Sequence, residues 1–433
     1  MDGAMNTSRR EFIRAAAAGA AAAAAGGLAP SAFAGAGDVI PAPRLDRTKV
    51  PPRNRRPYAG VDWAKAIQVN GTTHMHQERD LCEAVRERRI GFLTVSNYYP
   101  SKPMYPWREA VNEHIRVVAD WPVVVNGKYT EGPFDWNEII SRWSSELTEK
   151  DRRMLPLPAR KLRPTFKPGD FPDDMLEAPN AEHCKFLLAD GKSVGSLHIC
   201  APGSAYVSGT HGIHDRWGLT SHGYCPGSGE FWGTAIDRMI EKLVVPDGGG
   251  VTINHPTWSN LDHNLILEIL DWDPRVLGVE ALESGGCNSE HWWDWILSTG
   301  RQCFGFFVPD HKIHSRDFGV SVLVVPERTQ AACLRAYRNG DFYGAAHGLG
   351  ELAFTEISFD GRTLRASTDK PARFEVKTAR GVVHEEKGTT LAWNVPAVNG
   401  RRVGPQVEVF ARVKAYAADG CGETLFSQPF MLV

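Results

Sequence analysis

Apolar runs of strand length alternate with helix-like stretches between residues 61 and 348. Six such runs stand out, at 92–96, 184–188, 250–254, 276–280, 303–308 and 320–325. Apolar residues with helical spacing occur at 80–89, 232–243 and 330–339. Because strands that alternate with helices usually pair in parallel, the pattern predicts an α/β domain with a mostly parallel sheet.

The pattern changes in three other segments of the chain. Residues 35–60 are rich in Pro, Gly and Arg and indicate a linker or a strap lying on the domain. The segment from about 100 to 180, which holds one predicted helix at 136–147 and a basic, proline-rich stretch, indicates an insertion over one face. Short alternating runs with turn signals at 350–433 predict a small all-β sandwich.

The first 34 residues have the pattern of an export signal. A paired-arginine segment at 8–14 precedes an alanine-rich tract at 15–27 and a small-residue cleavage site at 32–34. This tract is too short for a membrane span, which needs about 20 strongly apolar residues. The segment resembles a twin-arginine signal, so we expect its removal and a periplasmic or secreted protein.

The overall composition is ordinary for a globular protein, with 42% hydrophobic and 23% charged residues. The formal net charge is −2, so a strongly basic surface that binds nucleic acid is not expected. The eight cysteines contain no Cys-x-x-Cys pair, which argues against a zinc ribbon. Both disulfides and buried free thiols remain open for them.

Side chains that can bind a metal recur beside the apolar runs. His74-Met75-His76 follows a predicted strand, and residues i and i+2 of a strand face the same side, so both imidazoles can reach one ion. Five further side chains with donor atoms close, follow or adjoin such runs: Glu182, His198, His255, Glu280 and Asp310. Because strand ends converge on one face of a parallel barrel, these positions predict a shared metal site.

In this order the residues resemble the polymerase-and-histidinol-phosphatase (PHP) superfamily of metal-dependent hydrolases. The resemblance covers most of 62–348, and its clearest pieces are 253–256 (Ile-Asn-His-Pro) and 309–311 (Pro-Asp-His). It implies a distorted (β/α)7 barrel and a carboxylate, Glu182, that bridges two ions. The full set of metal ligands that it implies is His74, His76, Glu182, His198, His255 and Asp310.

Two departures from the family pattern affect the number of ions. Asn97-Tyr98 stands where the family has Asp-His, and Lys312 stands where the late motif has a histidine. Because both missing histidines help to hold a third ion, we predict a site for two ions, with the charge of Lys312 near the lost position. His311 is an alternative ligand if its loop shifts by one residue.

The predicted ligands determine the expected chemistry. Imidazoles and carboxylates favour two divalent Zn, Mn or Fe ions over Ca. A water that bridges two such ions loses its proton near neutral pH and becomes the nucleophile. Together with the resemblance, this predicts an exported phosphoesterase-like hydrolase. The residues expected to act at its substrate are Asp310, His311, Lys312 and Tyr98.

Several interpretations stay open from the sequence. Glu280 is a distant metal ligand, the partner of a histidine, or a carboxylate that closes a strand. Tyr98, Lys102, Lys312 and Arg316 are candidate substrate contacts, with solvated surface residues as the alternative.

Two other functions are compatible with the same pattern. The site can serve an ester or carbamate hydrolase, and a barrel that has lost catalytic residues can serve as a non-catalytic carbohydrate- or surface-binding protein. Aromatic residues such as Trp258 favour a small-molecule or sugar-like substrate if they are exposed. We expect no nucleic-acid partner and no membrane span, and the oligomeric state is undefined.

Overall fold

The computed structural model describes eleven stretches of the chain: 42–75, 85–96, 124–125, 128–129, 172–206, 230–283, 287–310, 319–346, 351–396, 408–418 and 422–432. Side chains are not described for 124–125, 128–129 and 287. The predicted signal at 1–34, the predicted helix at 136–147 and most of the predicted insertion lie outside these residues.

The helices that lie wholly within the described residues are α1 (Trp232–Glu241), α2 (Pro256–Ser259), α3 (His263–Trp272), α4 (Glu290–Ser298) and α5 (Gln330–Asn339). The strands of the first half are β1 (Ile67–Gly71), β2 (Ile90–Leu93), β3 (Val124–Val125), β4 (Lys128–Tyr129), β5 (Leu176–Glu177), β6 (Glu182–His183), β7 (Phe186–Leu187), β8 (Ser193–Val194) and β9 (Ile199–Cys200). The later strands are β10 (Val251–Ile253), β11 (Val276–Glu283), β12 (Cys287–Asn288), β13 (Phe304–Val308), β14 (Gly319–Val325), β15 (Phe342–Ala346), β16 (Phe354–Phe359), β17 (Thr363–Thr378), β18 (Gly381–Asn394), β19 (Phe410–Ala417), β20 (Thr424–Phe426) and β21 (Phe430–Met431).

The larger sheet has eleven strands in the order β16-β17-β19-β20-β15-β14-β1-β2-β5, with β18 paired to β17 and β21 to β19. β1, β2 and β5 are parallel, whereas β14 is antiparallel to both β1 and β15. The expectation of a mostly parallel sheet is therefore wrong here. An apolar run shows that a strand is buried, but it does not determine the direction of its neighbours.

The second sheet has six strands in the order β12-β11-β10-β9-β6, with β13 beside β11. β10, β11 and β13 are parallel, and β9 is antiparallel to β10 and β6. Every residue of β11 and β13 is buried, as is typical of strands covered on both faces. The α/β class is confirmed, and neither sheet closes on itself among the described strands.

Capping residues set the ends of the helices. Asp262 accepts hydrogen bonds from the backbone N–H groups of Asn264 (2.8 Å) and Leu265 (3.2 Å) at the start of α3. Gly340 ends α5 at φ +76°, a left-handed conformation that glycine adopts without steric strain. No helix in the described ranges is long and apolar enough to cross a membrane.

The described C-terminal residues form strands that continue the larger sheet. β20 pairs with β15, so the sheet runs from the α/β part into β16–β21 without a break. Phe354 and Phe374 share one apolar core with Val322 and Tyr343. The C-terminal strands therefore pack partly against the α/β part. The predicted boundary near residue 350, between the α/β domain and a β-sandwich domain, stays a prediction.

The segment at 42–60 lies against the domain, and Arg53 is its main anchor. Its guanidinium donates hydrogen bonds to the backbone oxygens of Leu270 (2.7 Å), Val276 (2.9 Å) and Gln302 (2.8 Å). Tyr58 donates to the backbone oxygen of Phe342 at 2.7 Å. The strap therefore reaches both sheets.

Candidate metal centre

Three buried side chains from distant parts of the chain bring their ligand atoms together. One donor atom from each of His74, Glu182 and His255 lies within 4.8 Å of the other two. Nε2 of His74 is 3.3 Å from Oε2 of Glu182, and Nε2 of His255 is 3.2 Å from Oε1 of Glu182. Ligand atoms that share an ion at about 2.0–2.2 Å are about 3.0–3.4 Å apart, so this spacing suits coordination.

The second sheet brings His198 and His255 to the same edge. His198 comes just before β9, and His255 follows β10 with one residue between. Because these strands are antiparallel, the start of β9 lies beside the end of β10, and Asn254 N–H donates to His198 O at 3.0 Å. Nδ1 of His198 lies 2.8 Å from Oε1 of Glu182.

The loops after β1 and β13 hold the other pair of predicted ligands. Asp310 N–H donates to the backbone oxygen of His74 at 3.1 Å, within a parallel bridge between Met75 and Asp310. Oδ1 of Asp310 is 3.0 Å from Nε2 of His74. Asp310 has φ +48°, which places its carboxylate beside the cluster through a left-handed backbone conformation.

Glu280 is a buried carboxylate behind two of the histidines. Its Oε1 lies 2.8 Å from Nδ1 of His74, and its Oε2 accepts from the backbone N–H of His255 at 2.7 Å. When Nδ1 of His74 donates to Glu280, Nε2 keeps its lone pair and faces Glu182 and Asp310. β11 continues to Glu283, so Glu280 does not close its strand.

The electrostatics of the cluster favour bound positive charge. Burial alone would lower the pKa of His74, but the charges of Asp310 and Glu280 hold it well above the ordinary value. Burial also lowers the pKa of His255, yet its contacts with Glu182 and Glu280 raise it overall. Burial raises the pKa of Glu182, but His74 and His198 hold it well below its usual range. The carboxylates thus create a negative potential that a cation would neutralise.

The donor set fits a divalent transition metal. Imidazole nitrogen and carboxylate oxygen are the ligand atoms that Zn, Mn and Fe share, and Ca prefers oxygen alone. His74 directs Nε2 toward Glu182 because Nδ1 faces Glu280, and His255 does the same because Nδ1 lies 2.9 Å from Oγ of Ser259. Two histidines are therefore oriented from behind toward one carboxylate, as metal-binding histidines usually are.

Comparison with known proteins adds little to this geometry. No protein-family model matches the chain, and no curated protein matches it. Among solved structures, the chain is similar to a two-domain protein from Bacteroides vulgatus that contains a predicted PHP-like metal-dependent phosphoesterase. The TM-score is 0.36 and the sequence identity 10%, over 86% of this chain and 95% of the other. A likeness this weak carries no argument about the function of the chain.

The structure brings five of the predicted metal ligands into one cluster: His74, Glu182, His198, His255 and Asp310. The remaining predicted site residues lie outside the described residues: His76, Tyr98, Lys102, His311, Lys312 and Arg316. His183 is next to Glu182 but turns away and stacks on Tyr206, with ring centroids 5.4 Å apart. Burial lowers the pKa of His183 to about 3, so it stays neutral.

Two residues of the site have roles that the sequence pattern did not indicate. Asn254 donates to Oε1 of Glu182 at 3.1 Å and accepts from Cys200 N–H at 3.1 Å, which fixes the carboxylate relative to β9. Ser259 contacts His255 across one turn of α2. The spacing i to i+4 was a usable signal for Ser259, because such residues face each other on a helix.

Proposed function

We propose that this protein is a metal-dependent hydrolase that cleaves phosphoesters at the cluster of His74, Glu182 and His255. The observation that carries the metal site is the convergence of these three buried side chains with ligand atoms within 4.8 Å. The phosphoester class is proposed from the resemblance of the sequence to the PHP superfamily. Three carboxylates, Glu182, Glu280 and Asp310, face His74, and their negative potential favours a cation at the same place.

The residues of the chain have separate tasks in this proposal. A bound divalent ion supplies Lewis acidity at the scissile group and lowers the pKa of water. Glu182 presents both carboxylate oxygens, one toward His74 and one toward His255 and His198. Glu280 holds His74 in the orientation that directs Nε2 into the site. Asp310 adds a carboxylate from the opposite loop.

The finer parts of the proposal extend beyond this cluster. The proposal adds a second metal ion, which His76 helps to bind. It also adds a distorted (β/α)7 barrel of the PHP type as the fold of the catalytic domain. His311, Lys312 and Tyr98 are proposed to act at the substrate. Export by the twin-arginine route is proposed from the N-terminal sequence.

The test combines metal analysis with a substrate panel. Protein purified without chelator is analysed for Zn, Mn and Fe, and is assayed on phosphomonoesters, phosphodiesters, carboxylic esters and carbamates. We expect metal-dependent cleavage of phosphoesters that chelation abolishes and metal restores. His255→Ala should lose metal and activity, whereas His291→Ala, at an exposed position on α4, should keep both.

Other outcomes would change or remove the proposal. Faster cleavage of carboxylic esters or carbamates would keep the metal site but replace the substrate class. Bound metal without turnover of any substrate, together with glycan binding, would support a non-catalytic protein. Absence of metal in the purified protein and after reconstitution would contradict the proposal as a whole.

A further inference from the structure

Trp258 is an exposed aromatic side chain at the edge of the metal cluster. It is 63% exposed, and among the described residues the other exposed large apolar side chains are aliphatic: Ile67, Val244 and Val382. Its ring centroid lies 4.8 Å from that of His255 and 5.6 Å from that of His198. The indole therefore borders the place where a substrate of this cluster would bind.

The backbone holds Trp258 in a fixed relation to the cluster. α2 is a single turn, flanked by His255 at φ +27° and Asn260 at φ +46°. Thr257 N–H donates to Oγ of Ser289 at 3.2 Å, and that hydroxyl donates to Oγ1 of Thr257 at 2.7 Å. Both neighbours of Trp258 are thus hydrogen-bonded, since Ser259 contacts His255.

Support of the histidine rings does not explain the exposure of this side chain. The indole meets the His255 ring edge to face, at an interplanar angle of 79°, so one side of it contacts the cluster. Trp292 and Trp293 show how this chain buries a tryptophan that serves packing, with 7% and 0% exposure. At Trp258 most of the ring is left for solvent or for a ligand.

We propose that Trp258 stacks on a ring in the substrate, so that the hydrolysed group is attached to a sugar or an aryl ring. This inference rests on the proposed function, because it assumes that a phosphoester binds at the adjacent cluster. A sugar ring and an aryl ring both present an apolar face to an indole. The indole binds such a face through dispersion and through the attraction between C–H groups and its π face. A small acyclic phosphoester would leave the indole uncovered.

The experiment measures binding by calorimetry to the metal-loaded protein, with three phosphonates that are not hydrolysed. Phenylphosphonate carries an aryl ring, a glucose C-phosphonate carries a sugar ring, and methylphosphonate carries neither. We expect the ring that matches the substrate to bind about 10-fold more tightly than methylphosphonate, as one stacked ring typically contributes. If phenylphosphonate binds more tightly than the glucose C-phosphonate, the substrate carries an aryl ring, and if the order is reversed, it carries a sugar ring.

The variants separate stacking from other roles. Trp258→Ala should remove the preference for the phosphonate that carries the matching ring and should leave the Kd of methylphosphonate unchanged. Trp258→Phe should keep most of that preference. Val382→Ala, at another exposed apolar position, should change none of the three affinities. Metal content is measured in every variant and should be unchanged.

The outcomes distinguish this inference from the proposed function. If metal binds and Trp258→Ala keeps the ring preference, or if no preference exists, the stacking proposal is overturned and the metal-site proposal stands. Loss of metal in both Trp258→Ala and Trp258→Phe would mean that the indole supports the histidine rings. That result would also overturn the stacking proposal. A wild-type protein that takes up no metal would overturn both proposals.

Discussion

Two charged clusters in this protein pair their carboxylates with different groups. The cluster of α4 and the C-terminal strands joins Glu290 and Asp294 to Arg412, Lys377 and Lys414. The side chain of Arg412 is fully buried, and it lies over the ring of Trp293 at 4.6 Å. Permanent cations therefore balance the carboxylates of this cluster, which we call the arginine cluster.

The candidate metal centre instead joins its carboxylates to imidazoles. Glu182, Glu280 and Asp310 contact His74, and Glu182 also contacts His198 and His255. Unlike guanidinium and ammonium groups, imidazoles have nitrogen atoms that can also bind a metal ion. The arginine cluster therefore holds its own cations, whereas the candidate metal centre offers nitrogen and oxygen atoms to an added cation.

The largest expected effect comes from Glu182→Gln. This change removes the charge shared by three imidazoles and one oxygen that can bind metal. We expect metal affinity and hydrolysis to fall by more than the about 10–100-fold that is typical when only an outer partner of a ligand is lost. Metal content and initial rates measure the effect, and Glu241→Gln on the exposed side of α1 is the control. A variant with wild-type metal content would contradict the role of Glu182.

Arg412→Ala should reduce stability without changing metal binding. It removes the charged hydrogen bonds of Arg412 to Glu290 and Asp294, which are partly buried and keep Lys377 as a partner, so we expect a loss of about 1.5–3 kcal/mol. Denaturation by urea measures the free energy of unfolding. Arg365→Ala, which breaks a pair with Asp360 at half-exposed positions, should change it by less than about 1 kcal/mol. Equal effects of the two variants would remove the distinction between buried and exposed pairs.

Glu280→Gln should weaken metal binding by about 10–100-fold, since it removes the charge behind His74, a proposed metal ligand. The amide can still accept from the backbone N–H of His255, so the fold should be retained. Titration with a metal-binding dye gives the affinity, and Glu268→Gln on an exposed position of α3 serves as control. An unchanged affinity would mean that Glu280 has no part in the orientation of His74.

The smallest effect is a pH dependence of the arginine cluster. Burial raises the pKa of Glu290, but Arg412, Lys414 and Lys377 hold it well below its ordinary value of 4.5. A depressed pKa contributes stability that is present above about pH 4.5 and is lost as pH falls further. The difference in unfolding free energy between wild type and Arg412→Ala should therefore shrink below that pH. A difference that stays constant from pH 6 to pH 3 would show that this carboxylate is not stabilised by Arg412.

Much of the fold follows from the sequence because buried strands and capped helices have local signatures. The predicted helix at 330–339 has the bounds of α5, and the run at 303–308 contains β13. The prediction of one strand at 184–188 is wrong, because Lys185 has φ +56° and separates β6 from β7. Such a conformation is rare for lysine, so the sequence offered no signal for the break.

The order of the candidate ligands was also readable, but their geometry was not. His255 at φ +27° and Asp310 at φ +48° direct their side chains through left-handed backbone, which Asp and His adopt more often than most residues but which no local pattern assigned to these two positions. The reversed strand β9 is what brings His198 to the edge where His255 lies. The orientation of His74 depends on Glu280, 206 residues away, and contacts of that range have no local pattern.

Anomalous diffraction at the absorption edges of Zn, Mn and Fe tests the central claim most directly. For crystals of protein purified without chelator, we expect an anomalous peak about 2.0–2.3 Å from Glu182 and from Nε2 of His74 or His255. A difference map without such a peak, after soaking with each metal and with the cluster ordered, would contradict a metal centre at this place.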